Sequence, residues 1–124
     1  MTPTSSEFNG SPVKASHIIG KDVVNPEGDS LGDIKEVMVD PNTGRIAYAV
    51  VSFGGFLGLG EKLFAVPYTA LDYDHQDNEY VLDVPKEELK NAPGFDPQHW
   101  PSMADERWNR EVYNYYKRTP YWEN

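Results

Sequence analysis

The sequence predicts a mainly β domain, a small barrel or sandwich, followed by a helical extension rich in aromatic side chains. Three observations point there. Between His17 and Leu82, short β-rich runs are separated by the turn clusters Asn25–Asp29, Asp40–Gly44 and Asp72–Asn78, a spacing that suits a compact all-β fold. Two of those runs are apolar on both faces. All three tryptophans and four of the eight tyrosines fall in the last thirty residues.

Taken in order, residues 1–15 are dominated by Ser, Thr, Pro, Gly and Asn, too polar to offset the entropy of ordering them, and are expected to form a mobile leader. The barrel is expected over residues 16–84. Within it, Pro41 presets φ at the first corner of a turn and Gly44 can take the positive φ that closes a hairpin. That turn joins a strand near Ile34–Val39 to one near Arg45–Phe53. On the second strand Ala47, Ala49, Val51 and Phe53 point one way, and Ile46, Tyr48 and Val50 the other. Leu63 and Ala65 against Phe64 and Val66 repeat the pattern, so part of the outer wall must be covered.

Residues 85–124 supply the candidate cover. Pro85–Ala92 reads as a short helical turn bounded by prolines. Ser102 is the expected cap of a longer helix, with Asp105 and Glu106 favoured by its first-turn dipole. Ala104, Trp108, Val112 and Tyr115 recur at helical spacing, Glu106 and Arg110 form an i,i+4 pair, and Pro120 stops the helix.

The chain has 124 residues, 39% hydrophobic and 25% charged, which suits one domain with a core of its own. With no cysteine there is no disulfide, thiolate nucleophile or Cys-ligated metal. The net charge of −9 and the absence of a basic cluster beyond Lys117-Arg118 argue against nucleic acid. Eleven acids against four bases in residues 17–82 place the acidity on the β region. Neither a secretory leader nor an apolar stretch of about 20 residues is visible, so the expectation is a soluble, cytoplasmic protein without a transmembrane segment.

No motif announces chemistry. The glycine-rich segment Gly54–Lys62 lacks the Ser/Thr and the following helix of a phosphate-binding loop, since Leu63–Pro67 continues as a strand. It is expected to be a strand connection whose tip, Phe56 and Leu57, can touch a partner. The acidic turn with Asp72, Asp74, Asp77 and Glu79 does not match a calcium loop and is read as solvated. His17, His75 and His99 are scattered, and none sits beside an activated serine. His17 is expected to hydrogen-bond backbone. No catalytic residue, cofactor or metal site is assigned.

Ile19–Asn25 with Gly28–Ile34, then Gly44–Val50, Gly54–Gly58 and Val66–Leu71, closely resemble the PRC-barrel family. This β-barrel domain is shared by the photosynthetic reaction centre H subunit and the C-terminal part of the ribosome maturation protein RimM. The resemblance covers about residues 16–84. It implies a small, strongly bent antiparallel barrel that docks proteins and has no catalytic residues to carry over. The chain looks like the free-standing bacterial form, whose members are described as stress-related or as H-subunit-like. It shows neither the H subunit's transmembrane helix nor RimM's N-terminal domain.

The expected function is a non-enzymatic adaptor that self-associates, as a homodimer, with a further protein partner not named by the sequence. The candidate interaction residues are Phe56, Leu57, Trp100, Trp108, Tyr115, Tyr116 and Trp122. The alternative is a peripheral regulator of a membrane electron-transfer complex, tuning proton access with carboxylates such as Asp72, Asp74 and Asp77. An enzyme or small-molecule binder would instead need an apolar pocket with convergent polar groups.

Overall fold

Turn chemistry sets the strand boundaries. In the computed structural model, which describes residues 12–54 and 60–123, the Asp40–Gly44 turn closes as expected. Gly44 takes φ +77°, its N–H donates to the Asp40 carbonyl at 2.8 Å, and the Asp40 carboxylate accepts from the Asn42 N–H at 2.9 Å. The Asn25–Asp29 turn is tied by its own side chains. Asn25 accepts from the Asp29 N–H at 2.8 Å and donates to the Val84 carbonyl at 3.3 Å, so this buried amide also holds the end of the β region.

Among the described residues the strands are β1 (Asp22–Val24), β2 (Ser30–Val39), β3 (Ile46–Gly54), β4 (Glu61–Pro67), β5 (Leu71–Asp74) and β6 (Glu79–Leu82). One helical turn, α1 (Ala15–Ile18), precedes them, and α2 (Lys86–Lys90) and α3 (Glu106–Tyr115) follow. Short 3-10 turns occupy Tyr68–Ala70 and Tyr121–Glu123. The strands form one sheet in the order β4-β3-β2-β1-β6-β5.

The mainly β class and the helical turn after Pro85 agree with the sequence. The strongly bent antiparallel barrel is met in part. The β1–β6 pair is parallel, with Val23 opposite Tyr80, because β1 to β4 alternate in direction but β4 leads through the 3-10 turn into β5 without forming a hairpin, and β5 pairs with β6 instead. Hydrogen bonds do not close the sheet between its end strands β4 and β5. Pro67 and the 3-10 turn separate those two strands, and the outer edge of β4 is taken by the C-terminal segment. There Leu63 and Phe95 exchange backbone bonds of 2.9 and 2.8 Å. The polypeptide beyond the β region therefore blunts an edge that would otherwise be free.

The sheet bends through register shifts on β2, between Ile34 and Glu36 and between Met38 and Val39. Gly32 sets the closest approach. At φ +129°, a Cβ there would lie 1.9 Å from the Ser52 carbonyl oxygen on β3, so only glycine fits. The interior packs Val23, Leu31, Ile34, Ala49, Val51, Phe64 and Val66. Residues Ala47–Ser52 and Leu63–Pro67 are buried on both faces, as their composition requires.

Candidate functional site

The outer wall of β3 and β4 is covered by the chain's own α3. Its buried stripe is Asn109, Val112, Tyr113 and Tyr116, one residue further round than the expected stripe of Ala104, Trp108, Val112 and Tyr115. Asp105, rather than Ser102, caps the helix, accepting from the Arg107 N–H at 2.9 Å, so Ala104 lies outside the helix and exposed.

A polar residue sits in the middle of the contact. The Asn109 amide donates to the Met103 and Asp105 carbonyls at 2.9 and 2.8 Å, and its oxygen accepts from the Tyr48 hydroxyl of β3. The Tyr113 hydroxyl donates to the Ala47 carbonyl at 2.8 Å. Burial pushes the Tyr48, Tyr113 and Tyr116 phenols well up, which keeps all three protonated; Tyr48 and Tyr113 donate to Asn109 and Ala47, whereas the buried Tyr116 hydroxyl has no partner among the described residues. Behind them the tail is latched by Tyr121, whose hydroxyl donates to the Asp40 carboxylate at 2.6 Å. That bond, with the Asn42 N–H, holds the Asp40 carboxyl below the usual carboxylate range. Burial and then the Asp40 partner push the Tyr121 phenol up to about 12.

The expected interaction residues divide accordingly. Trp108 is half-buried with its ring edge-on to Tyr48, centroids 5.5 Å apart. Tyr116 is buried, and the half-buried Tyr115 donates its hydroxyl to the Glu88 carbonyl of α2. These three belong to the packing of the chain on itself. Trp100 and Trp122 remain at the surface, 41% and 37% exposed. Trp100 stacks on Phe95 at 5.0 Å and donates its indole N–H to the Pro97 carbonyl at 2.9 Å. Trp122 lies against Tyr113 at 5.9 Å, with the Arg110 guanidinium 5.6 Å from its ring. Arg110 pairs with Glu106 at 2.8 Å, as expected, and with Glu123 at 2.7 Å. Phe56 and Leu57 lie outside the described residues.

Two features escaped the sequence reading. Asn109 gave no signal because a polar residue in a helical stripe suggests the solvent side. His17, expected to bond backbone, is instead exposed at the mouth of a cavity that also takes in Tyr68, Tyr73 and Tyr80. The tyrosine and aspartate alternation of Leu71–Asp74 carried that signal without naming a partner strand. In the acidic turn, carboxylate oxygens of Asp74, Asp77 and Glu79 lie within 4.8 Å of one another.

The family model described as the PRC-barrel domain matches residues 12–89, more than half of the chain. The chain belongs to the PRC-barrel family. Among curated proteins it is similar to a Deinococcus radiodurans protein described as uncharacterized, with 25% identity over 107 residues. That match covers 86% of this chain and 35% of the relative, so the chain spans about a third of that relative's length. The PRC-barrel match stops before α3, and the aromatic cover of β3 and β4 is an addition to the shared domain. Among the described residues, no helix is long and apolar enough to cross a membrane.

Proposed function

We propose that this chain is a non-enzymatic PRC-barrel docking module of the cytoplasm, and that it pairs with a second copy of itself through the surface bearing Trp100 and Trp122. The observation that carries this reading is Trp100. Its ring is exposed, yet stacking on Phe95 and the bond to the Pro97 carbonyl fix its position. A large aromatic anchor already held in place loses little entropy on binding, and tryptophan is the residue most enriched among interface hot spots. Trp108, Tyr115 and Tyr116 are taken up by the chain's own packing and are left out of the proposed contact. The stress-related role of the free-standing members that the chain resembles suits a module that acts through what it holds together.

Sedimentation of the full chain across micromolar to millimolar concentrations tests the proposal. A dimer is expected, with Trp100→Ala weakening it by roughly 30-fold, the effect of losing a hot spot of about 2 kcal/mol. A monomer throughout that range overturns self-association.

One observation favours a second reading, a peripheral regulator of a membrane electron-transfer complex. Partial burial and the neighbouring Asp77, Asp74 and Asp22 raise the Glu79 carboxyl above its ordinary range, which suits a surface group that exchanges protons. Co-fractionation of the chain with membranes is then expected, and recovery entirely in the soluble fraction counts against it.

A further inference from the structure

A cavity of about 200 Å³ opens where α1 meets β5 and β6, remote in sequence from the aromatic tail. We infer that it binds a small carboxylic acid with an apolar, ring-sized body. Its polar lining consists of Lys21, His17, His75 and the tyrosines Tyr68, Tyr73 and Tyr80, and Val13 and Ile18 supply its aliphatic wall.

Strand alternation sorts charge between the two faces of the sheet here. Tyr73 is opposite Tyr80 on β5 and β6, and Val23 of β1 lies beside Tyr80. These side chains share the cavity face. Asp72, Asp74 and Glu79 occupy the alternate positions and point to the other face, as does Asp22 next to Val23. The acidic hairpin thus turns its carboxylates away, and among the described residues no carboxylate lines the cavity. Among the described residues Lys21 pairs with no acid. Its ammonium stands 6.0 Å from the Tyr73 ring centroid.

Donors are in surplus as well. The Tyr68 and Tyr80 hydroxyls are 2.9 Å apart and share one hydrogen bond. Two hydroxyl protons serve that single bond, so one is left without an acceptor among the described residues. Tyr80 is buried and donates to Tyr68, so the spare proton is on the half-buried Tyr68 hydroxyl, which lines the cavity and can donate to a ligand oxygen in place of water. A carboxylate answers the ammonium, the spare hydroxyl proton and the imidazole N–H groups together. The ring faces and aliphatic wall call for an apolar body. A cationic ligand is disfavoured, because Lys21 already stands beside the ring that would hold it.

The test is an amide-resolved NMR titration of the full chain with sodium benzoate, alongside sodium acetate and benzyltrimethylammonium. Benzoate is expected to shift amides of residues 17–21, 68–75 and 80 saturably, and more tightly than acetate. Lys21→Met is expected to weaken benzoate about tenfold, the effect of removing a charge-assisted bond, while the melting temperature holds. Tyr68→Phe is expected to weaken it less. No saturable shift, acetate binding as tightly as benzoate, preference for the quaternary ammonium, or indifference to Lys21→Met would each overturn the inference.

Discussion

Asn109 stands where a helix packed on a sheet would ordinarily carry leucine, and it is tolerated because its amide group is fully used. It caps two carbonyls of its own segment and receives the Tyr48 hydroxyl. Replacing it with alanine strands that buried hydroxyl, and a loss of about 1–3 kcal/mol in chemical denaturation is expected. Tyr48→Phe in the same background should recover part of the loss, since the stranded group is then gone. Trp108→Ala removes a half-buried ring packed edge-on against Tyr48; about 2–3 kcal/mol of destabilisation is expected, with no change in oligomeric state. At Gly32 alanine has no room. Its Cβ meets the Ser52 carbonyl, and the chain is expected to lose at least about 3 kcal/mol or fail to fold.

Among the elements, α3 and the turn behind it are the most sensitive to solution conditions. Asp105→Ala deletes the cap and should cost about 1 kcal/mol. The Tyr121 latch has a pH dependence of known sign. The Asp40 carboxyl is held below its ordinary range by the phenol, so the latch contributes at pH values above that range and is lost as pH falls through the lowered value. Melting curves taken down through the carboxylate range should show the tail loosening, by Trp122 fluorescence, and Tyr121→Phe should flatten that dependence. A wild-type profile already flat would remove Asp40 as the cause. Sequence reading found α3 from its acids, its aromatic spacing and Pro120, yet misjudged its face. Ser102 and Asp105 are both good caps, and only packing against β3 decides between them.

For the molecule as a whole, the hairpin, the two-sided burial of β3 and β4 and the need for a cover were legible in residue patterns. Alternation reports burial directly. The parallel β1–β6 pair and the Phe95 seal on β4 were not, because both join segments far apart in sequence whose composition says nothing about pairing. Trp100 and Trp122 were legible as interface candidates but inseparable from Trp108, whose exposure depends on helix phase. The tail packs on the sheet, so removing residues 94–124 should bare Tyr48, Val50 and Ala65. Such a truncation is expected to aggregate, which light scattering would show; a well-behaved truncated monomer would mean that the outer wall needs no cover.

The parallel pair also bears on how the chain is made. During synthesis β1 waits for β6, and the wall formed by β3 and β4 waits longer still, until residues 106–116 have left the ribosome. For that interval the most apolar strands of the protein are bare. Because contacts so distant in sequence also form slowly, the vulnerable state of this protein is the nascent one, where a chaperone that shields β3 would have its largest effect.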